Sequence, residues 1–405
     1  MTSDEVEIVA SDTEPEDVKF KIAPIFLVVG IAVSAVMPVF LTGALAVQIR
    51  RDLNLTPSLL GAAVATFFGF AALSSYLGGR ISHKVDGAKT MRICLIASSL
   101  TLFTIGAAAR NYLVFILLLA VSGTINGTLQ PPINVFISQV IPRRRQGFAY
   151  GVKQAAVPVS TLLAGLAVPF IALTVGWRYA YIGVVPLGLI LYFFVPKSIV
   201  PSGPSSKVTA TASRPSPAPI AMLAVAMGLG TGAANSFGAF IVSSLVHSGW
   251  NPGVAGLLTV AGSLICAIAR IGNGILADRR TGRHFLFAAW SAAIGALGYL
   301  MLVFGYGWLI IPGIIVSYGA AWGWNGLFIF GVVRNFTKYA GYATGTVQSG
   351  AYVGSVLGPL AFGIVVEHAG YSVAWIMAVC LSLAAVGAIL IGRRLTISSE
   401  PGAVG

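Results

Sequence analysis

Charge is what this chain has least of. Only 9% of its 405 residues are Asp, Glu, Lys or Arg, and 57% are hydrophobic, whereas a soluble globular domain carries roughly 25% charge. A water-soluble globule is excluded, and the chain belongs in a bilayer. Acidic residues are scarcest: there are twelve, and seven of them fall within the first eighteen residues. Residues 1–18 therefore read as a solvated, disordered acidic tail, and the acidic start does not fit a cleavable signal. Cysteine is limited to Cys94, Cys266 and Cys380, far apart and inside apolar segments. That spacing excludes a disulfide framework or a thiolate metal site and leaves three small packing residues. The four histidines lack ligand spacing, no G-x-x-x-x-G-K phosphate loop occurs, and no nucleophile is paired with a base. No cofactor, metal or enzymatic activity is expected, and ATP-driven transport is disfavoured.

What the chain has is long apolar runs. A membrane helix needs ~20 apolar residues to cross ~30 Å of hydrocarbon. Twelve runs qualify, with cores at 23–48, 57–79, 90–109, 112–140, 148–174, 179–196, 217–246, 252–277, 285–305, 308–333, 342–366 and 372–392. Their length excludes a transmembrane β-barrel. The net charge of +13 is then a matter of topology and gives no reason to expect nucleic acid. With both termini in the cytoplasm, nineteen Lys and Arg lie on that face and only Arg50, Arg51, Arg110 and Arg178 on the other, which is the positive-inside arrangement.

Residues 195–219, rich in Pro, Ser, Thr and Ala, separate the sixth run from the seventh. The chain repeats itself across this linker. Thr56-Pro57 and Gly61 correspond to Asn251-Pro252 and Gly256 at an offset of 195, and Gly151, Gln154 and Gly176-Trp177 to Gly345, Gln348 and Gly370-Tyr371 at 194. The expected organisation is an acidic tail (1–18), a six-helix bundle (19–196), a cytoplasmic linker (197–216), a second six-helix bundle (217–395) and a short cytoplasmic tail (396–405). Such duplicated halves are typical of secondary transporters with a binding site between the repeats.

The stretch Arg270 to Arg283 organises the second half: an apolar run ends on Arg270, passes Gly274, and meets water at Asp278, Arg279, Gly282 and Arg283. A weaker copy, Gly79, His83, Lys84 and Gly87, lies 195 positions earlier. Over about residues 20 to 395 the chain resembles the major facilitator superfamily, whose loop motif G-x-x-x-D-R followed by Gly and basic residues matches Gly274, Asp278, Arg279, Gly282 and Arg283. The first copy departs from it, with His83 in place of Asp and Asp86 three positions on. The resemblance implies an all-α membrane protein of twelve transmembrane helices in two pseudo-symmetric six-helix bundles that rock around a central cavity. It also implies gating roles for Asp278, Arg279, Gly274, Gly282, Gly79 and Lys84, with the main cytoplasmic latch at Asp278 facing Arg143 to Arg145.

No carboxylate lies deep in any run; Glu367 stands at the outer end of the eleventh, beside His368. The depth instead holds cations. Arg270, eight residues before Asp278, sits ~12 Å inside the membrane, where a charge either faces a cavity or snorkels to the interface. Arg followed four residues later by Gly, ahead of this turn, is similar to the eighth helix of monocarboxylate and oxalate carriers, where the Arg binds a substrate carboxylate. Lys153 lies at similar depth in the other half, with Gln154 beside it and Gln348 at the equivalent position. Asn126, Asn235 and Asn325 are near mid-membrane, where polar groups bond neighbouring helices or line a cavity. Trp322 and Trp324 flank Asn325 and either wall a substrate or pack in the core. The Gly354-x-x-x-Gly358-Pro359 pattern reads as helix packing.

The resulting expectation is a monomeric, multi-pass carrier of the cell (plasma or inner) membrane. It would take up a small organic anion, a carboxylate, with a proton by alternating access, using Arg270, Lys153, Gln154, Gln348, Asn126, Asn325 and Trp322. The alternatives are a drug or metabolite efflux antiporter and, more distantly, a non-transporting membrane receptor.

Overall fold

A computed structural model describes residues 23–81, 86–140, 152–198, 217–279, 283–305 and 307–399. These residues are almost wholly helical, without a strand among them. Eleven helices are long and apolar enough to cross a membrane. The last, Ala340–Ser399, is two helices joined at Gly370, whose φ of 81° and ψ of 174° no α-helix contains, so the spans number twelve. We label them α1 (Ala23–Ala44), α2 (Pro57–Ile81), α3 (Gly87–Ala108), α4 (Tyr112–Val140), α5 (Val152–Ala172), α6 (Trp177–Phe194), α7 (Pro217–His247), α8 (Pro252–Arg279), α9 (His284–Phe304), α10 (Gly307–Asn335), α11 (340–369) and α12 (371–399). At ~1.5 Å per residue a 22-residue helix such as α1 is ~33 Å long, enough to span.

Asn and Asp set several helix starts. Asp86 Oδ1 accepts from Ala88 N at 2.8 Å at α3, Asn111 Oδ1 from Val114 N at 3.0 Å at α4, and Asn251 Oδ1 from Gly253 N at 2.8 Å at α8. Each satisfies a donor that the first turn leaves open. Within the spans, many hydroxyls bond back one turn, as Thr42 does to Pro38 O at 2.8 Å, which satisfies them inside their own helix.

The structure departs from the expected segments at several places, among them the following. The run 23–48 is two helices: α1 ends at Ala44 and a short helix, Ala46–Leu53, follows, closed by Asn54 at φ 52°. That helix buries Ala46, Ile49 and Leu53 and exposes Arg51 and Asp52, the pattern of a helix at a water boundary. The run 308–333 is interrupted by a π-helical turn at Ser317–Ala321. α12 continues to Ser399, beyond the expected end at 395. Residues 1–22, the linker stretch 199–216 and residues 400–405 lie outside the described residues.

Small residues bring spans together. On α7, Ala224, Gly228 and Gly232 meet Gly350, Gly354 and Gly358 of α11 so closely that a Cβ on any of the latter three would collide with backbone. The Gly354–Gly358 pattern is therefore helix packing of the small-xxx-small kind.

The apolar core is one body at one end and two at the other. At the end remote from the termini, Phe40, Leu60, Phe67, Phe115 and Trp177 of the first half share a cluster with Phe237, Tyr318, Trp322, Phe362 and Trp375 of the second. At the termini end, Ile25, Met91, Leu129 and Phe136 form a core of the first half alone, and Leu223, Phe285, Phe328 and Ile389 a core of the second. The halves are thus sealed together at the remote end and packed independently at the termini end.

At the remote end Arg178 is well anchored: its Nη2 lies 2.7 Å from Asp52 Oδ2 and donates to Ala109 O at 3.0 Å, and its guanidinium lies 4.5 Å over the Trp177 ring. It ties three elements of the first half together.

Candidate functional site

Among the contacts that join the two halves at the remote end, four run down two seams. Between α5 and α8, a Cβ on Gly165 would lie 2.7 Å from Gly256 O, and one on Gly256 2.7 Å from Gly165 O. One to two turns toward the termini, Thr161 Oγ1 and Ser263 Oγ share a 2.7 Å hydrogen bond. Between α2 and α11, Gly61 packs against the Pro359 carbonyl, and Glu367 Oε2 accepts from Ser58 N at 3.0 Å, capping α2 from the other half.

Arg270 belongs to the α5/α8 seam. Gly256, Ser263 and Arg270 are seven apart, two helical turns each, and so share one face of α8. That face meets α5, and Arg270 Nη1 donates to Gln154 O across the halves. Its Nε donates to Trp322 O at 3.2 Å. Arg270 is half-buried and held between a carbonyl of each half.

The acceptor on α10 exists because that helix is broken. The π turn at Ser317–Ala321 and the interruption before Asn325 release backbone carbonyls from the α-helical ladder, a feature that π turns bring to binding sites. Two of the freed carbonyls are taken by α8: Trp322 O by Arg270, and Gly323 O by Asn273 Nδ2 at 3.1 Å. Asn273, three residues from Arg270 on the same face, escaped the sequence reading, although that i, i+3 spacing was there to find it.

Lys153 Nζ donates to Asn134 Oδ1 of α4 at 2.7 Å. Asn134 was also missed, because nothing in the sequence relates positions nineteen apart on two helices. Both deep cations therefore bond neutral oxygens, while the Arg178–Asp52 ion pair lies at the remote end. Among the described residues neither cation has a carboxylate partner, and a buried charge without one is costly.

The remaining expected residues fall into two groups. Gln154 is exposed on α5 with its carbonyl on Arg270. Gln348 is exposed one turn below Tyr352, on the stripe of α11 that continues through Val356 and Pro359 to meet Gly69 and Gly61 of α2. Asn325 heads the lower part of α10, and its buried Oδ1 has no hydrogen-bond partner. These three and Lys153 and Arg270 lie on the termini side of the shared core. Asn126 is buried on α4, between Gly123 and Gly127, which pack against α2. Asn235 donates to Ser355 Oγ at 2.7 Å, a bond between α7 and α11. The Trp322 ring is buried in an aromatic cluster, 5.9 Å from Phe40 and 5.5 Å from Tyr318, and a Cβ on Gly238 would meet it at 2.8 Å. Its ring is core and its carbonyl belongs to the site. Trp324 is buried against Phe328.

Of the gating residues, Gly79 falls in α2, and Gly274, Asp278 and Arg279 in the last turns of α8. Lys84, Gly282 and the expected partners Arg143 to Arg145 lie outside the described residues. Asp86, which follows the motif position held by His83, caps its own helix.

A family model described as Major Facilitator Superfamily matches residues 22–327. Among curated proteins, the hexuronate transporter of Bacillus subtilis (strain 168) is 24% identical over 166 residues, 39% of this chain and 39% of that protein. The match thus spans about two-fifths of the length of that relative. Among solved structures, the fold is similar to a bacterial homologue of the human lysosomal transporter Spinster in an inward-facing, unoccupied conformation, with a TM-score of 0.74 and 13% identity over 93% of this chain and 98% of that one. It is also similar to a mutant of the nucleoside transporter NupG, with a TM-score of 0.65 and 15% identity over 90% and 99% of the two chains.

Proposed function

The chain belongs to the major facilitator superfamily, a multi-pass membrane transporter and not an enzyme, and from that premise we propose that its cargo is a small organic anion, a carboxylate, taken up together with a proton. The observation that carries this reading is Arg270: a guanidinium at depth, on the seam between the halves, bonded to neutral carbonyls of both. A planar guanidinium offers a carboxylate two parallel charge-assisted hydrogen bonds, and binding would relieve a charge that the empty protein leaves unpaired. Lys153, held by Asn134, supplies the second cation and is the candidate proton carrier, since a lysine amine can give up its proton in an empty desolvated cavity and regain it as an anion arrives. Gln154, Gln348, Asn325, Asn126 and the Trp322 carbonyl complete the proposed polar lining. The partial likeness to a hexuronate transporter, whose name denotes an acidic sugar, supports an anionic cargo.

The proposed topology has both termini in the cytoplasm, on the charge count of nineteen against four, with the two bundles (19–196 and 217–395) acting as rocking units of a monomer. The end at which the core is divided then faces the cytoplasm. The cytoplasmic latch is proposed at Asp278, facing Arg143 to Arg145 and the start of α5, where a carboxylate is favoured by the helix end. Asp278→Asn should raise the cytoplasmic accessibility of cysteines placed along α5, and unchanged labelling would remove the latch.

Proteoliposomes provide the test of cargo. Uptake of glucuronate and simpler carboxylates driven by an inward proton gradient should be lost in Arg270→Gln and fall sharply in Arg270→Lys, which keeps the charge and loses the fork. Transport that survives Arg270→Gln with unaltered affinity, or that is confined to organic cations, would make Arg270 a clamp between the halves and put efflux antiport in first place.

A further inference from the structure

A cationic cavity lies at the remote end, away from Arg270. It has a volume of about 330 Å³, and its polar lining is Arg50, Arg51, Ser243, His247 and Tyr371. Arg50 and Arg51 come from the last turn of the short helix Ala46–Leu53 in the first half; Ser243 and His247 come from the end of α7 and Tyr371 from the start of α12, all in the second. The wall is therefore shared by both halves at the end where they are sealed.

Its chemistry is one-sided. No carboxylate lines it. The two acidic residues of this face are committed elsewhere: Asp52 to Arg178 at 2.7 Å, and Glu367 to Ser58 N at 3.0 Å. Arg50 Nε donates to Leu55 O at 3.1 Å, which fixes its guanidinium on the wall. The Ser243 side chain is 4% exposed. Its hydroxyl and that of Tyr371 are buried polar atoms without a well-formed hydrogen bond; the phenol is in loose polar contact with Ser243 and Arg50. Buried hydroxyls without partners are uncommon in a finished core. Here they line a space of ligand size together with two arginines. The His247 ring, 5.1 Å from that of Tyr371, closes one side. The start of α12 at Tyr371, just after the non-helical Gly370, also brings the positive end of a helix to the cavity.

We propose that this cavity binds a small oxyanion, carboxylate or phosphate in type, which bridges the two halves at the remote face. Arg50 and Arg51 provide the charge, and the Ser243 and Tyr371 hydroxyls donate to its oxygens. Because the wall comes from both halves, the site is complete only while the remote end is sealed. Occupancy therefore favours the sealed state, as any ligand favours the conformer that holds its whole site. The proposal does not depend on Arg270 as the cargo residue. A bridging anion drawn from solution and the transported carboxylate share the required chemistry, so the experiment separates them.

The test uses the full chain in nanodiscs, titrated calorimetrically with inorganic phosphate and, separately, with glucuronate. Phosphate should bind the parent protein. Binding should weaken about tenfold or more in Arg50→Gln, the loss expected for a charge-assisted contact, and less in the exposed Arg51→Gln, whose folding is the safer of the two. Arg270→Gln should leave phosphate binding unchanged. If glucuronate competes with phosphate in Arg270→Gln, the bridging anion can be the cargo itself; if it does not, the site takes an inorganic anion. No phosphate or glucuronate binding to Arg270→Gln, or phosphate binding indifferent to both Arg50→Gln and Arg51→Gln, would overturn the proposal. Loss of the pocket ligand with intact Arg270-dependent transport, or the reverse, tells its failure apart from failure of the cargo assignment.

Discussion

The α2/α11 and α5/α8 seams occupy equivalent positions of the sequence repeat and share their close backbone contact but not their polar groups. Gly61 against Pro359 on one corresponds, at offsets of 195 and 194, to Gly256 against Gly165 on the other. Each pair lets backbone touch backbone, and that part of the geometry is preserved. The polar groups are not. Where α2 begins, Ser58 N is capped by Glu367 from the opposite half. Where α8 begins, Gly253 N is capped by Asn251 of its own helix, and the counterpart of Glu367 is Leu173, whose Cδ1 would lie 3.4 Å from a Cβ on Gly253. Deeper down, Arg270 of α8 corresponds to Ser75 of α2. One seam carries its charge at the water boundary and the other at mid-depth. Duplication thus supplied the shape of a closing joint twice, and later substitution gave one joint a surface clasp and the other a buried cation.

If close backbone contact is what the seams share, obstructing it should have the largest effect and the same one on both. Gly61→Val and Gly256→Val should each keep the remote end from sealing, lower uptake about tenfold or more, and render a cysteine at Val39, buried in the shared core, reactive from the outer face. A phenotype from one valine and not the other would show that the seams do not close together.

The divergent groups should act more weakly and differently. Glu367→Gln removes a charged acceptor from the start of α2, a contact worth little when exposed. It should increase labelling of the Val39→Cys reporter by about twofold to fivefold, while Leu173→Gln on the other seam should not change it. Equal effects from the two changes would mean that the clasp contributes nothing of its own. A change no larger than that of Glu367→Gln is expected from Thr161→Val, which deletes the hydroxyl shared with Ser263. Interhelical hydrogen bonds in membranes average ~0.6 kcal/mol, so the sealed population should shift by roughly threefold, read as the same labelling rate. A loss of uptake as large as that of Arg270→Gln would instead place Thr161 in the cargo site.

Much of the architecture could be read from the chain because its causes are local. Hydropathy and run length marked the twelve spans, and the offset between Thr56-Pro57 and Asn251-Pro252 related the halves, since a bilayer demands length and apolarity of every helix whatever its neighbours. Arg270 and Lys153 stood out for the same reason: a charge at depth is exceptional wherever it faces. The parts that were missed depend on partners. Asn134 matters because Lys153 reaches it, Asn273 and the Trp322 carbonyl because α10 breaks opposite α8, Arg178 because Asp52 and Trp177 meet it, and Glu367 because α2 begins beneath it. Trp322 could be read as a ligand wall or as core packing; its ring packs among aromatic residues and its carbonyl accepts from Arg270.

The amino-acid sequence by itself thus determined a membrane protein of twelve helices in two related halves, with positive charge at depth and none of the matching acid. Tertiary structure alone decided which face of each helix meets the other half, that the core is single at one end and divided at the other, and which cations share a cavity. The physical reason is range. Insertion into a bilayer is governed by the composition of each segment, whereas a contact between residues separated by a hundred positions or more exists only after the helices have packed, and the helix rotation that brings it about is set by small residues whose effect depends on what lies opposite.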